Sequence, residues 1–276
     1  MIKIITDSTA DLNAEIAEEF DIHIVPLSVA IGGKTYRDGD LQPSALFGLV
    51  QQSGELPKTA APAVIEFEQA FRGPDQSIYI GVSSQLSATI QNAQLAARSF
   101  PEGQVRVIDS LNLSTGIGLL VLLAAELRRA GLSVDEIESR VCSAREKVRT
   151  AFMVETMEYL YKGGRCTAIE AIVGSLLKIR PVIRVDRDGT MSLKEKVRGS
   201  REKALQTLLA EFEAEEACLD RQRVFVTHSG CDADAELLAS RIRQSASPRE
   251  VRVTLAGSVI SSHCGPDTIG ILYLVH

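Results

Sequence analysis

Apolar positions in this chain come in short dense runs, and each run ends in a cluster of hydroxyl and acidic residues. Ile2-Lys-Ile-Ile-Thr-Asp7 is one such run, and Ser77 to Val82 and Val105 to Asp109 are others. Each reads as a buried strand leading into a polar turn, after which the apolar spacing becomes helical. One helix is expected from about Leu12. A second is expected from Leu86 onward, on Leu86, Ile90, Ala93 and Ala96, and a third over Gly116 to Leu127. Strand, polar turn and helix repeated in this order predict a parallel sheet with helices on its faces.

One insertion interrupts the pattern. Ile22 to Val29, followed by Ile31-Gly-Gly-Lys-Thr-Tyr-Arg-Asp-Gly39, reads as a hairpin-like arm. The polar segment Gln51 to Thr59 then leads into a helix over Val64 to Phe71. Beyond an amphipathic helix over Val134 to Val148 the grammar changes. A strand at Ala151 to Val154, a short helix at Met157 to Tyr161, a Gly-Gly turn and a helix at Ile169 to Leu177 follow one another. Asp186-Arg-Asp-Gly189 then joins two strands as a hairpin, its Asp-Gly pair supplying the turn. A strand–helix–strand unit spans Arg223 to Leu255, and Ile269 to Val275 is a final strand. The expected architecture is α/β: an N-terminal parallel-sheet α/β domain over 1–150 and a smaller α+β C-terminal domain over 151–276, with the ligand cleft between them.

Composition narrows the function classes. A chain of 276 residues supports real cores, and its 45% hydrophobic and 24% charged content is that of ordinary globular proteins. A net charge of −6 argues against general nucleic-acid binding, because no basic surface stands ready to displace phosphate counterions. The first residues carry no apolar stretch of the signal-peptide type. The longest apolar run, Ile117 to Ala125, is too short to span a bilayer, so a cytoplasmic protein without stable membrane insertion is expected. Cys142, Cys166, Cys218, Cys231 and Cys264 form no C-x-x-C pair and have no histidine at metal spacing, so neither disulfides nor a bound metal is expected.

The densest chemical signal is Ser83, Ser84, Ser87 and Thr89, at the end of a predicted strand and the start of a predicted helix. A single serine there would be a helix cap. Four hydroxyls exceed that need, and in an open α/β sheet this is where ligands bind, with helix-start N–H groups favouring an anion. Three catalytic patterns fail on their residues. Gly32-Gly-Lys-Thr35 lacks the earlier glycine of a phosphate-binding loop, having Ser28 there. Gly81-Val-Ser-Ser-Gln85 lacks the second glycine of a nucleophile elbow, although Ser87, Asp109 and His263 do occur in hydrolase chain order. His228 with Asp232 and Asp234 suggests a metal, but acids at a helix start are explained by its dipole. What remains is a set of mostly neutral donors. Thr59, Ser87, Thr89 and His263 suit a carboxylate, and Arg165 adds a positive charge after two glycines. On residues alone His263 reads equally as a core or surface histidine, and Arg165 as a solvated residue after a helix-ending turn.

Five stretches together resemble the DegV family, the FakB-type bacterial fatty-acid-binding proteins. They are Ile5-Thr-Asp-Ser-Thr-Ala-Asp-Leu12; Pro26 through Gly33 with Tyr36, Asp38 and Gly39; Ser83-Ser-Gln-Leu-Ser-Ala-Thr89; Tyr161-Lys-Gly-Gly-Arg165; and Ser262-His-Cys-Gly-Pro266. The resemblance implies a cytoplasmic lipid-binding protein of phospholipid metabolism, with no catalytic residues and no cofactor. Such a protein holds a long-chain fatty acid in a buried tunnel and presents its carboxyl group to a separate fatty acid kinase, which forms the acyl phosphate. It places Thr59, Ser87 and His263 at the carboxyl group, with Thr89 and Arg165 in the head-group vicinity. Apolar residues in Ile24 to Ile31, Ile117 to Leu123 and Ile169 to Ile179 are the candidates for lining the tail. Departures from the family pattern stand at Ala60, Ala61, Ala88 and Asp267. Ala60 and Ala61 are expected to thin the polar network, Ala88 to crowd the head group, and Asp267 to favour protonation of His263. The basic segment Lys194 to Lys203 suggests a docking surface for the kinase at Arg198 and Arg201. The alternative is a Ser/His-dependent hydrolase or transferase acting on a small acyl or phosphorylated substrate through Ser87 and His263.

Overall fold

The computed structural model describes residues 2–73, 75–165 and 179–276. Four parallel strands form the first sheet in the order β2 (Ile22–Val25), β1 (Ile2–Asp7), β6 (Gln76–Gly81), β7 (Val105–Asp109). Both faces of this sheet are covered, so successive residues on a strand serve different cores. Ile4, Ile78 and Ile80 pack with α1 (Ala14–Phe20), α5 (Thr115–Arg129) and α6 (Val134–Arg145). Ile5 and Tyr79 pack on the other side against α3 (Val64–Phe71) and α4 (Thr89–Ala97).

The second sheet has six strands, in the order β10 (Met191–Arg198), β9 (Ile179–Val185), β8 (Val148–Met153), β13 (Ile269–Val275), β11 (Leu219–His228), β12 (Val251–Leu255). Only β11 and β12 pair in parallel; the other neighbours are antiparallel. One face is covered by α8 (Arg201–Ala214) and α9 (Asp232–Ser245), with Phe212 and Leu238 in its core. From the other face Phe225 and Leu272 join the core around α5. That helix therefore lies between the two sheets. Its run Gly116 to Leu122 is buried on every side, which is why the sequence there is apolar all round.

The arm is a third, three-stranded sheet, β4 (Lys34–Arg37), β3 (Ser28–Ile31), β5 (Lys58–Ala60). Gly32 and Gly33 make its two-residue turn at φ 58° and 72°, a conformation that glycine adopts without strain. The helix α2 (Pro43–Ser53) backs it, and Leu27, Val29, Ile31 and Leu46 form a small core that also takes Val259 from α10 (Ser258–Cys264).

Several expected bounds shift. The helix expected from Leu86 begins at Thr89, because Leu86 and Ser87 donate their N–H groups back to the Ser83 carbonyl in a separate turn. The helix expected to reach Val148 stops at Arg145, since β8 takes the residues from Val148. Gln51 to Ser53 finish α2, and Lys58 and Thr59 belong to β5 rather than to a polar linker. The expected helix over Ile169 to Leu177, and Cys166, lie outside the described residues.

Candidate functional site

Between the first sheet's carboxyl edge, the arm and the second sheet lies a cavity. Its wall is built from Leu27, Val82, Leu113, Phe152, Leu160 and Val259, from six different segments of the chain. Hydroxyl residues also line it, but their oxygens are turned into the protein. Thr150 donates to Asn112 Oδ1 at 2.8 Å, Thr268 to the Cys264 carbonyl at 2.9 Å, and Ser229 to the Gly265 carbonyl at 2.6 Å. Thr227 Oγ1 lies 2.6 Å from that of Thr115 and 2.9 Å from that of Thr254. Carbon therefore faces most of the cavity, and these threonines cost nothing in unpaired hydroxyls.

Polar groups concentrate in one region. Thr59, on β5, brings its Oγ1 within 2.8 Å of His263 Nε2 at the end of α10. His263 Nδ1 is buried without a hydrogen-bond partner among the described residues, beside Gly163. An orphaned buried N–H is rarer than an orphaned acceptor, so this bonding pattern assigns the proton to Nε2, which then donates to Thr59. Burial, assisted by the nearby Arg165 charge, pushes the His263 pKa down to about 4, so the ring is neutral at physiological pH. Ser87 Oγ accepts the Thr89 N–H at 3.3 Å and pairs with Thr89 Oγ1 at 2.7 Å. With the buried Thr89 hydroxyl donating, the hydroxyl protons of Ser87 and Thr59 are both left for a ligand. Arg165 spans the edge of the cavity. Its Nε donates to the Leu86 carbonyl at 3.3 Å and its Nη1 to the Gly163 carbonyl at 2.6 Å.

The structure thus brings Thr59, Ser87, His263 and Arg165 to one cavity, and Thr89 stands behind Ser87 rather than on the wall. Other expectations are corrected. Ala60 and Ala88 are exposed and off the cavity wall, so neither thins nor crowds the site. Asp267 does not raise His263: burial and Arg165 set that residue's basicity, and in the opposite direction. Of Ile24 to Ile31 only Leu27 reaches the cavity, and Ile117 to Leu123 do not, because α5 is enclosed between the two sheets. Ile169 to Lys178 lie outside the described residues.

Ser83 donates to the Gly189 carbonyl at 2.9 Å and so holds the β9–β10 turn, which removes it as a nucleophile. Arg201 is not a free docking charge, since it pairs with Asp234 at 2.6 Å and Glu155 at 3.1 Å; Arg198 is exposed. Wall residues such as Phe152, Leu160 and Ile260 were not foreseen. The signal for Ile260 was available, because Val259, Ile260, His263 and Cys264 share one face at helical spacing.

Comparison with known proteins supplies the lineage. A family model described as uncharacterised proteins of the DegV family matches residues 1–276. A DegV domain-containing protein of Clostridium perfringens is 32% identical over 98% of this chain and 96% of its own length. A solved DegV-family protein from Thermus thermophilus, described as binding fatty acid, is 32% identical with a TM-score of 0.93, covering 100% of this chain and 99% of its own. A lipid-binding DegV protein from Thermotoga maritima is 29% identical with a TM-score of 0.88, covering 99% and 98%. With that match along its whole length, and a cavity of this shape behind its motifs, the chain belongs to the DegV family.

Proposed function

We propose that this protein binds a long-chain fatty acid, with the tail in the apolar cavity and the carboxylate at Thr59, Ser87 and His263, and presents that carboxylate to a separate fatty acid kinase. The observation that carries this reading is that the Thr59 and Ser87 hydroxyls, with a neutral histidine beside Thr59, line a cavity otherwise faced with carbon. Burial gains about 0.8 kcal/mol per methylene, so a tail of about fifteen carbons has roughly 12 kcal/mol to set against the costs of association. The tail then supplies affinity and the polar end fixes orientation. His263 polarises the Thr59 hydroxyl, and Arg165 offers a positive charge at the cavity edge.

Neutral donors hold a carboxylate without neutralising it, so its oxygen keeps the electron density needed to attack the terminal phosphate of a nucleotide on the kinase. The new oxygen–phosphorus bond forms as the bond to the departing nucleoside diphosphate breaks. The fatty-acid-binding description of the Thermus relative and the lipid-binding description of the Thermotoga relative favour the same ligand class.

The hydrolase alternative lacks support in the geometry. His263 Nε2 is engaged by Thr59 rather than Ser87, and among the described residues no carboxylate orients its Nδ1, whereas a nucleophile needs its base within hydrogen-bond reach. Asp109 is occupied with the N–H groups of Ser84 and Leu111. Solvent extraction of the purified protein followed by mass spectrometry tests the proposal. The expected result is a co-purifying long-chain fatty acid near one per chain. A protein that carries and takes up no fatty acid, or that cleaves a model ester in a Ser87- and His263-dependent way, contradicts it.

A further inference from the structure

We propose that Asp38 is a positioning residue for the carboxyl site: it pins the start of α10 to the arm so that His263, near the other end of that helix, meets Thr59. The inference rests on the reading of Thr59 and His263 as ligand contacts.

Helix α10 has seven residues, too few to persist without tertiary support. Its N-cap residue, Gly257, has no side chain with which to cap it. Two carboxylates from distant parts of the chain do that work instead. Asp11 Oδ1 accepts the Gly257 N–H at 2.8 Å. Asp38 Oδ1 accepts the Ser258 hydroxyl at 2.7 Å and the Val259 N–H at 3.2 Å. A Cβ on Gly257 would come within 2.9 Å of Asp38 Oδ1, so glycine is what permits this approach.

Asp38 is only 8% exposed, and its second oxygen, Oδ2, is buried with no hydrogen-bond partner among the described residues. A bare carboxylate oxygen in the interior is costly, and such rule-breaking concentrates where a protein needs a fixed geometry. The geometry that Asp38 fixes runs through the arm. Asp38 follows β4 directly and donates its own N–H to the Leu27 carbonyl at 2.8 Å. Thr59 lies on β5 of the same sheet, where Val29 is paired with Tyr36 on one side and Thr59 on the other. The arm therefore grips α10 twice, at Ser258 and Val259 through Asp38 and at His263 through Thr59. With Val259 seated in the arm's core, the distance between the two grips is set by one rigid sheet. A helix rises about 1.5 Å per residue, so a slip of one residue at the start carries His263 out of hydrogen-bond range of Thr59.

The test uses Asp38→Ala, Asp38→Asn, Ser258→Ala, His263→Ala and the Asp38→Ala/His263→Ala pair. Bound fatty acid is measured by extraction, His263 titration by proton NMR, and folding by circular dichroism. Asp38→Ala and Ser258→Ala are expected to lower retention by about tenfold, and the His263 titration to move up towards that of an ordinary histidine as the ring gains water. Asp38→Asn, which still offers an acceptor to Ser258 and Val259, is expected to keep most of the retention. Asp38→Ala is expected to add nothing to His263→Ala. Unchanged His263 titration in folded Asp38→Ala, or losses that add in the double variant, overturn the inference. Should Asp38→Ala fail to fold, Ser258→Ala decides by the same titration. If His263→Ala itself retains lipid fully, the reading of the carboxyl site fails instead.

Discussion

Thr59, Ser87 and His263 carry no formal charge among them, and each depends on a neighbour for the direction of its hydrogen. A hydrogen bond to a charged group contributes about 1.5–3 kcal/mol. Thr59→Ala or Ser87→Ala is accordingly expected to weaken fatty-acid retention about tenfold or more while leaving the thermal midpoint nearly unchanged, as calorimetry on stripped protein checks. His263 also ties stability to pH. Its folded-state pKa of about 4 lies below the ordinary histidine value of about 6.5. Between these values the unfolded chain binds a proton that the folded chain refuses, so this contribution is complete above about pH 6.5 and lost as pH falls to about 4. The buried Asp7 and Asp11 carboxyls, raised mainly by desolvation, titrate in the opposite sense. The difference between wild type and His263→Gln isolates the histidine, and the gap between their stabilities is expected to change across that window and stay flat above it.

At the scale of elements, the site is assembled by turns and short helices rather than by the large ones. Gly163, which ends α7 (Glu158–Lys162), stands where a Cβ would lie 2.8 Å from both His263 Nδ1 and the Tyr159 carbonyl. Gly163→Ala is therefore expected to push His263 off Thr59 and to reduce lipid retention as much as His263→Ala does. A variant that retains lipid normally would show that the ring tolerates displacement. The basic segment at the β10–α8 junction divides by its contacts. Arg201 is tied between Glu155 and Asp234, so Arg201→Ala is expected to lower stability, whereas Arg198, exposed at the end of β10, is expected to affect only the rate of acyl phosphorylation by the kinase. Measuring both quantities on both variants at low and moderate salt separates the two roles.

The sequence made the strands legible, because the short, continuously buried apolar run of β6 and the Gly32-Gly33 and Asp188-Gly189 turns are local signals. It also flagged Thr59, Ser87 and His263. It did not make legible that His263 bonds Thr59 across 204 residues, or that Arg201 is internally neutralised, since both depend on which elements the fold sets side by side. Helix α5 misled for a related reason: an apolar run signals burial, not which side faces a cavity.

Over the whole molecule, the two sheets are also joined at the edge away from the site. The Phe20 ring on α1 lies beneath the guanidinium groups of Arg129, Arg223 and Arg252, at 4.8, 5.6 and 5.8 Å from its centroid. Arg223 on β11 reaches Glu126 on α5 at 2.9 Å and Glu250 at 2.5 Å, and is itself 7% exposed. Removing one member of a buried pair strands its partners at a cost of about 3–5 kcal/mol. The partial exposure of Glu126 and Glu250 puts Arg223→Ala at the low end, a fall of roughly 6–12 °C in the thermal midpoint. Lipid retention per folded molecule is expected to be unchanged, because the network does not touch the cavity.

The central claim, a fatty-acid carboxylate held by Thr59, Ser87 and His263, is tested most directly by carbon NMR of a fatty acid labelled with ¹³C at its carboxyl carbon. The account predicts a single bound carboxyl resonance in slow exchange, displaced from that of free fatty acid and moved again in each of Thr59→Ala, Ser87→Ala and His263→Ala. A bound resonance that titrates like free fatty acid and is the same in all three variants would contradict it.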